Sequence, residues 1–336
     1  MNILFTCAGR RTYLLKYFKE NMQPGDMVVA TDMQLSAPAL QAADVKLQVP
    51  AVYDPQYIDI TLDICKEHDI DALISLNDLE LPILAEKKAR FEELGVKVIV
   101  SDPQVIDICF DKYKTMLWVS ELGLNAPKTY IRLVDAKTAL ASSEISFPLF
   151  LKPRWGSGSI GLETVEDMEE LNIVYGLLFK KIKKTILATA SVGEEYIMIQ
   201  EKLTGKEFGL DVMNDLEGNN VAVSVKQKLA MRAGETDKAV TVDLPEVREM
   251  GEIIGHNLKH IGNLDVDIMQ RANGDYCVLE LNPRFGGGFP FSYEAGVNLP
   301  KAIMMWLRGE KVDASMLQSE YGKMFAKNDY LMEIKE

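Results

Sequence analysis

Short apolar runs alternate with amphipathic helical stretches over the first hundred residues of the chain. The apolar runs predict strands at 2–6, 27–30, 45–49, 72–76 and 96–100. The stretches between them predict helices at about 12–21, at 55–68 and in the segment that ends at 94. Strands separated by helices predict a parallel, doubly wound α/β sheet, which binds ligands at the carboxyl ends of its strands. Those ends lie near 8–11, Asp32 and 77–80.

The pattern changes at Asp102-Pro103, after which one long helical segment is predicted over about 103–122, ending at Gly123. Residues 128–190 then predict a strand, a helix, a strand, a glycine-rich loop and a second helix, which together form a small lobe. We expect a doubly wound domain over 1–115 and the small lobe over 116–190.

Longer strands with alternating apolar positions dominate the remainder of the chain, 191–336. They are predicted at 196–202, 208–213, 221–231, 263–269 and 276–281, with one helix at 244–260. This pattern predicts an α+β large lobe with an antiparallel sheet. The final segment, 311–336, has the pattern of a helix followed by a strand at 323–333, for which the sequence suggests no function.

The last of these strands carries Glu280 and Asn282, two residues apart, so both side chains point to one face. A carboxylate beside a carboxamide on a strand fit for burial is costly unless a cation lies between them, and such oxygen ligands suit Mg²⁺. Asp267 lies on the preceding strand, and Asp265, with the same parity, is an alternative ligand. Arg284 extends the face, so a cation site beside a guanidinium is predicted, as phosphoryl transfer requires.

Composition excludes several classes of protein. Of the 336 residues, 26% are charged and 47% hydrophobic, and 37 Lys and Arg against 50 Asp and Glu give a net charge of −13. No basic run stands out, so nucleic acid is not an expected partner. No apolar run is long enough to span a bilayer, and no signal peptide is recognisable. The four cysteines are far apart, which favours reduced thiols in a cytoplasmic protein.

A glycine-rich loop follows a strand that ends near Lys152. It contains Gly156, Ser157, Gly158 and Gly161, whose small side chains allow backbone N–H groups to approach a phosphate, while Lys152 can neutralise it. The alternative is a flexible surface turn, but the lysine in the preceding strand favours nucleotide binding.

The segment 199–207 leaves one strand, turns, and enters the next. Free backbone groups around Glu201, Lys202 and Leu203 could bind an adenine edge, and Glu207 could accept hydrogen bonds from ribose hydroxyl groups. A solvated hairpin would be an equally good interpretation of this segment alone. Its position between the glycine-rich loop and the acidic strand favours the nucleotide.

Two pairs of lysines are further phosphate candidates. One of Lys112 and Lys114 could reach a phosphate, and we favour Lys112, because Lys114 has the pattern of an ordinary helix-surface lysine. Lys226 and Lys228 alternate on one strand face and could hold a phosphate or a second substrate. Lysines are also common on edge strands, where they prevent unwanted strand pairing.

In this order, the signals resemble the ATP-grasp superfamily of carboxylate-amine ligases over essentially the whole chain. The segment Leu279-Glu-Leu-Asn-Pro-Arg284 is especially similar to carbamoyl phosphate synthetase large subunits. Since only one such unit is visible, we expect a stand-alone relative. The resemblance implies a doubly wound domain followed by a two-lobed ATP-grasp fold, with ATP held between two lobes and the small lobe closing as a lid.

The resemblance also implies the role of each site residue. Lys112 and Lys152 would bind the phosphates of ATP, and Asp267, Glu280 and Asn282 would bind two Mg²⁺ ions, with Mn²⁺ as an alternative. Arg284 would stabilise charge on the transferring phosphoryl group, aided by Lys152 and Asn282. The nucleotide set implied is Lys112, Lys152, Gly156, Ser157, Gly158, Glu201, Lys202, Leu203, Glu207 and Lys228.

The implied reaction activates a small carboxylate as an acyl phosphate and joins it to an amine, releasing ADP and phosphate. Bicarbonate or carbamate phosphorylation, and a catalytically silent nucleotide sensor, stay open as alternatives. The expected partners are small-molecule substrates, and a homodimer is a further open alternative.

Overall fold

Three β-sheets organise the chain in the structure, a computed structural model that describes residues 1–156, 161–185 and 195–334. The first sheet is parallel and has five strands, the second is antiparallel and has four, and the third is antiparallel and has six. The predicted combination of an α/β and an α+β architecture is therefore confirmed.

The first sheet has the strand order β3-β2-β1-β4-β5, and the change of direction at β1 makes it doubly wound, as predicted. Its three central strands are largely buried because they are mostly apolar, whereas the two edge strands contain lysine and are partly exposed. The strands are β1 Asn2–Thr6, β2 Met27–Asp32, β3 Val45–Gln48, β4 Ala72–Ser75 and β5 Lys97–Val98. The helices are α1 Thr12–Lys19, α2 Tyr57–Glu67 and α3 Leu81–Glu92, with a 3₁₀ helix at Pro38–Ala42.

The long helix predicted over 103–122 is wrong, since the segment forms two helices, α4 Pro103–Phe110 and α5 Lys112–Glu121. Asp111 separates them with an extended backbone, and its carboxylate accepts hydrogen bonds from the backbone N–H groups of Tyr113 and Lys114. Asp111 is therefore the N-cap of α5, which begins as a separate helix. Both helices pack against Tyr276–Asn282, an edge strand of the six-stranded sheet, which brings Lys112 to that sheet.

The second sheet has the order β6-β9-β7-β8 and carries two helices. Its strands are β6 Thr129–Tyr130, β7 Leu149–Pro153, β8 Glu163–Val165 and β9 Ile197–Glu201, and its helices are α6 Leu133–Ala141 and α7 Met168–Ile182. Strand β8 was not predicted. Strand β9, which the predicted division assigns to 191–336, pairs with β6 and β7, so we propose that the boundary of the small lobe falls after β9.

The third sheet has the order β14-β13-β10-β11-β12-β15. Its strands are β10 Glu207–Asn214, β11 Asn220–Arg232, β12 Glu235–Thr241, β13 Gly262–Gln270, β14 Tyr276–Asn282 and β15 Met324–Ala326. The helices of this part are α8 Pro245–Leu258, α9 Phe289–Glu294 and α10 Leu299–Leu307, with a 3₁₀ helix at Ala314–Leu317. The sequence pattern missed β12, α9 and α10.

The predicted helix and strand in 311–336 are only partly present, as the short 3₁₀ helix and the three-residue strand β15, which pairs with β12. The strand stops early because Tyr330 and Leu331 are exposed and have no sheet to cover. Across the described residues, no helix combines the length and the apolar character needed to span a membrane.

Helix α8 covers one face of the six-stranded sheet at close range. A Cβ atom at Gly251 would lie 2.7 Å from Val223 Cγ1, and one at Gly255 would lie 2.9 Å from Val212 Cγ1, so glycine is required at both positions. Because successive side chains of a strand point to opposite faces, the other face of the same strands is left for polar residues.

Candidate active site

The strand register gathers the predicted metal ligands on the face of the six-stranded sheet opposite to α8. Asp267 on β13 lies directly opposite Glu280 on β14, and Asp265 lies opposite Asn282. Residues directly opposite each other on paired strands share a face, so these four oxygen-bearing side chains lie side by side. We call this side of the sheet the acidic face.

The same face continues across β10 and β11, where Lys228 lies between two carboxylates. Its Nζ is 2.7 Å from Glu207 Oε1 and 2.6 Å from Asp267 Oδ1. Burial disfavours the charged lysine, but Asp267 and Glu207 outweigh burial and raise the pKa of Lys228 above its usual value. Burial also raises the pKa of Asp267, with Lys228 opposing the rise and Asp265 adding to it. Asp265 and Glu207 repel the charge of Asp267, so this part of the face favours a positive group.

Glu280 receives its counter-charge from outside the sheet. Lys112, the first residue of α5, places its Nζ 2.5 Å from Glu280 Oε1. Burial acts to raise the pKa of Glu280, but Lys112 and Lys152 lower it below its usual value. Glu280 is thus held as a carboxylate by two lysines from two other elements.

Lys152 approaches from β7 of the small sheet. Burial, with a smaller contribution from the nearby Lys112, lowers the pKa of Lys152 to about 8, although Glu280 and Asp267 act to raise it. Any additional negative charge close to this buried lysine would stabilise its charged form. A triphosphate would supply that charge.

Arg284 follows β14 and connects the sheet to the first domain. Its Nε lies 3.0 Å from Asp78 Oδ1, its Nη2 donates to Asp78 Oδ2 at 3.0 Å, and its Nη1 donates to Asp265 Oδ2 at 3.1 Å. Burial opposes the charge, but Asp78 and Asp265 raise the pKa of Arg284 above its usual value. Asp78 belongs to the turn between β4 and α3, so the predicted ligand edge of the first domain meets the acidic face here.

Asn282 is buried, at 8% exposure, and its side chain makes no hydrogen bond within the described part of the chain. With Asp78, Lys112 and Gly156 it lines a small cavity of about 10 Å³, room for about one water molecule. The carboxamide oxygen of Asn282 is therefore available as a ligand.

The residues predicted to bind adenine are placed differently from those on the acidic face. The carboxylate of Glu201, the last residue of β9, pairs with Arg271 at 2.5 Å and accepts a hydrogen bond from the Lys128 backbone at 2.8 Å. Lys202 lies over the ring of Phe150, with Nζ 5.3 Å from its centroid. These side chains are engaged in the protein, so the predicted contact with adenine would fall to the backbone of the turn that continues to Leu203.

The glycine-rich loop is described only at its two ends. Gly156 borders the cavity beside Asn282, and Gly161 packs against Pro153 and Leu178, whereas the predicted phosphate contacts Ser157 and Gly158 lie outside the described residues.

Two ion pairs near the site were not predicted from the sequence. Arg154 forms a bidentate pair with Asp111, the N-cap of α5. On the acidic face, the buried Lys226 lies 2.5 Å from Asp211, which was missed although strand parity could have paired them. An aspartate before a helix is a sequence signal for an N-cap, but nothing in the sequence indicates its arginine partner.

The donor set fits Mg²⁺. Asp267, Glu280 and Asn282 offer two carboxylates and a carboxamide, all oxygen ligands as hard cations require. Within 1–156, 161–185 and 195–334 no three His, Cys, Asp or Glu residues form a metal-binding group, so the remaining ligands would come from a bound phosphate or water. Asp267 pairs with the ammonium group of Lys228, and Glu280 pairs with that of Lys112. Both carboxylates therefore already hold a positive group at this position.

Two family models match the chain. Residues 3–99 match the model described as the PylC-like N-terminal domain, and residues 194–326 match the model described as ATP-grasp in the biosynthetic pathway with Ter operon. The second match contains β10 to β14 and therefore the whole acidic face.

Among curated proteins, the chain is similar to the carbamoyl phosphate synthase large chain of Campylobacter jejuni. The two are 22% identical over 294 residues, which cover 84% of this chain and 26% of the relative. The chain thus spans about a quarter of the length of that relative.

Two solved structures illustrate the fold that this chain shares with known proteins. The biotin carboxylase domain dimer of Hydrogenobacter thermophilus 2-oxoglutarate carboxylase, in complex with MgADP, ADP and bicarbonate, gives a TM-score of 0.73 at 18% identity and covers 93% of this chain and 70% of that chain. The L-amino acid ligase of Bacillus licheniformis gives a TM-score of 0.71 at 20% identity and covers 96% and 78%, respectively.

Proposed function

Because this chain belongs to the ATP-grasp superfamily, we propose that it is an ATP-dependent ligase that joins a small carboxylate to an amine through an acyl phosphate. The observation that carries the proposal is the convergence of Asp267, Glu280 and Asn282 with Arg284 on one face. A protein that only binds a nucleotide has no need of an arginine beside its metal ligands. We place the reaction in the cytoplasm.

The nucleotide phosphates would lie between the two antiparallel sheets. Lys152 from β7, Lys112 from α5 and Lys228 from β11 bring three ammonium groups to the acidic face from three elements. Phosphate oxygens would replace the carboxylates as ion-pair partners of these lysines. The carboxylates would then be free to bind a metal ion. Glu207, which now pairs with Lys228, would accept hydrogen bonds from the ribose.

The freed carboxylates would hold the metal. Asp267, Glu280 and Asn282 are its proposed ligands, and the resemblance to the superfamily implies two ions. When bound, Mg²⁺ would neutralise phosphate charge and orient the terminal phosphoryl group.

Arg284 would neutralise charge that develops during phosphoryl transfer. A carboxylate and a triphosphate repel each other, so their reaction needs fixed positive groups where negative charge accumulates. Asp78 and Asp265 hold the guanidinium from two sides. A group positioned in advance avoids the cost of reorganisation during the reaction.

The bond changes balance without a nucleophile from the protein. A carboxylate oxygen of the substrate forms a bond to the terminal phosphorus of ATP, and the bond from that phosphorus to the bridging oxygen breaks, which releases ADP. The amine nitrogen then forms a bond to the acyl carbon, phosphate leaves, and the nitrogen loses a proton. Because water also attacks acyl phosphates, closure of the small lobe over the site would protect the intermediate.

A second candidate, phosphorylation of bicarbonate, is favoured by two similarities. One is the sequence likeness to carbamoyl phosphate synthase large chains, and the other is the fold shared with the biotin carboxylase domain whose complex contains bicarbonate. We prefer the first reaction because this chain covers 78% of the L-amino acid ligase of Bacillus licheniformis but only 26% of the carbamoyl phosphate synthase large chain of Campylobacter jejuni.

The test is ADP release from Mg²⁺-ATP with pooled amino acids, other carboxylates, amines and bicarbonate, supplied singly and in pairs. We expect release that needs a carboxylate together with an amine and is lost in Glu280→Gln. Glu310→Gln, at an exposed position, is the matched control and should behave as the wild type. Release with bicarbonate alone would move the function to the second candidate, and ATP binding without stimulated release would contradict both.

A further inference from the structure

Two polar groups at the start of α1 are buried without a hydrogen-bond partner among the described residues. They are Nε of Arg11 and the hydroxyl of Tyr13. Arg11 is held in place because its Nη1 donates to the carbonyl oxygen of Leu76, just after β4. Both residues are partly exposed as a whole, whereas these two atoms are buried.

Buried donors without acceptors are destabilising. Each such group has lost its hydration without gaining a hydrogen bond in return. Here two of them, on residues two positions apart, meet at the carboxyl end of the first sheet, where doubly wound sheets bind ligands. The Tyr13 hydroxyl lies beside the Arg11 guanidinium, which can only donate, so the phenolic proton still has no acceptor. An oxyanion from outside the protein would satisfy both groups.

The surroundings connect this place to phosphoryl transfer. Burial raises the pKa of Tyr13 to about 12, an effect that Arg11 and Arg284 oppose and Glu235 increases, so Tyr13 lies within electrostatic range of all three. Glu235 begins β12 and lies close to the Gly287 backbone, where a Cβ atom would be 3.2 Å from its Cδ. One oxygen of Glu235 pairs with Lys327 at 3.0 Å.

We propose that Arg11 and Tyr13 form a carboxylate-binding subsite for the small-molecule substrate, which is an amino acid. The guanidinium edge made of Nε and Nη2 matches the two oxygens of a carboxylate, because Nη1 is already used by Leu76. Tyr13 adds a third donor. Glu235 favours an ammonium group next to that carboxylate, as an amino acid provides. This inference rests on the ligase function proposed above and names its substrate class.

Two tyrosines on α1 allow a matched test. Tyr13→Phe removes a hydroxyl without a partner, so the Tm of the unliganded protein should stay unchanged or rise. Tyr17→Phe removes a hydroxyl that donates to Glu294 at 3.0 Å, so its Tm should fall. A fall in Tm for Tyr13→Phe as large as for Tyr17→Phe would show that the Tyr13 hydroxyl has a partner in the protein, and would overturn the inference.

Ligand binding is then measured as the Tm shift produced by each of the twenty standard amino acids and by inorganic phosphate, with MgADP present. We expect at least one amino acid to stabilise the wild type. The Kd of that amino acid should rise about tenfold or more in Tyr13→Phe and in Arg11→Lys, and should be unchanged in Tyr17→Phe. Arg11→Lys keeps the charge but loses the edge formed by two nitrogen atoms.

A shift by phosphate alone, a shift that survives in both variants, or no shift by any amino acid would overturn the subsite. The ligase proposal is scored separately. If Tyr13→Phe has no effect but carboxylate and amine still stimulate ADP release, only the subsite fails. If an amino-acid shift is lost in Tyr13→Phe but ADP release is never stimulated, the subsite stands and the ligase proposal fails.

Discussion

Arg154 and Asp111 form a bidentate ion pair that joins the small sheet to helix α5. Arg154 Nε donates to Asp111 Oδ1 at 2.8 Å, and Nη2 donates to Oδ2 at 2.7 Å. The backbone N–H of Lys112 also donates to the carbonyl oxygen of Arg154 at 3.1 Å. Asp111 directly precedes Lys112, and Arg154 follows Lys152 by two positions. The pair therefore fixes the distance between the two proposed phosphate-binding lysines.

Loss of this pair should weaken ATP binding. Asp111→Asn keeps an N-capping side chain but removes the charge, and Arg154→Gln removes the other partner. We expect each single variant to raise the Kd for ATP about tenfold and to lower the stability by about 3 kcal/mol, because one charge of a largely buried pair is left alone.

A double-mutant cycle checks this account. ATP affinity and urea unfolding are measured for both single variants and for the double variant. The double variant should be hardly worse than either single variant. Strictly additive effects would show that the two residues act independently, contrary to the prediction.

Lys152 should give the protein a characteristic dependence on pH. Its folded pKa of about 8 is below the ordinary value of 10.5, so between these values the unfolded state binds more protons than the folded state. Stability therefore rises with pH across this window, and the unfavourable contribution of the buried charge is complete below pH 8. Lys152→Met should remove that rise, should not lower the Tm at pH 7, and should greatly reduce ATP affinity.

The measurement is thermal unfolding from pH 7 to pH 10.5, together with ATP titration at pH 7. Lys301→Met, at an exposed position of α10, is the control and should retain the pH dependence and the affinity of the wild type. A Lys152→Met variant with the same pH profile as the wild type would refute the assignment.

Lys226 and Lys228 occupy the same strand face but should have different roles. Lys226 is fully buried with Asp211, and Ser292 and Asn263 complete the hydrogen bonding of that carboxylate. Lys226→Met should destabilise the fold by about 3–5 kcal/mol, because it leaves a buried carboxylate without its counter-charge. Asp211→Asn in the same chain should restore part of the loss.

Lys228, by contrast, is expected to act on the nucleotide. Lys228→Met should raise the KM for ATP by tenfold or more, and Lys226→Met should leave that KM nearly unchanged at a temperature where it is folded. Unfolding curves and ADP release for both variants provide the comparison. An equal effect of both substitutions on KM would contradict the division of roles.

Gly286 should be essential for the position of Arg284. A Cβ atom at Gly286 would lie 2.2 to 2.4 Å from the carboxylate atoms of Asp265, which holds Arg284. Gly286→Ala must displace that carboxylate, so kcat should fall at least tenfold. Gly176→Ala is the control, because nothing lies within 4 Å of its Cβ position and alanine favours the helix, so activity should persist. Steady-state kinetics of both variants decide the matter.

Local patterns predicted most of the fold because β1 is a short apolar run and apolar alternation is strong in β10 and β13. The break between α4 and α5 escaped because helical apolar spacing continues across Asp111, and only the capping geometry and Arg154 reveal it. Strand β12 escaped because its buried positions include threonines, such as Thr236 and Thr241, and these carry little hydrophobic signal.

The site was predictable as far as strand parity reaches. Glu280 and Asn282 are two residues apart, and Asp267 follows from the pairing of adjacent strands. The contact between Asp78 and Arg284 joins positions 206 residues apart, and no local pattern specifies it. Long-range ion pairs of this kind depend on the packing of domains, which the sequence pattern of each element does not contain.

The central claim, activation of a carboxylate as an acyl phosphate, is tested most directly by isotope transfer. The carboxylate that stimulates ADP release is labelled with ¹⁸O in both oxygens and incubated with Mg²⁺-ATP and the amine. Our account predicts that one ¹⁸O atom appears in each inorganic phosphate released and that Glu280→Gln releases no labelled phosphate. Unlabelled phosphate, formed together with ADP at the same rate, would contradict acyl phosphate formation.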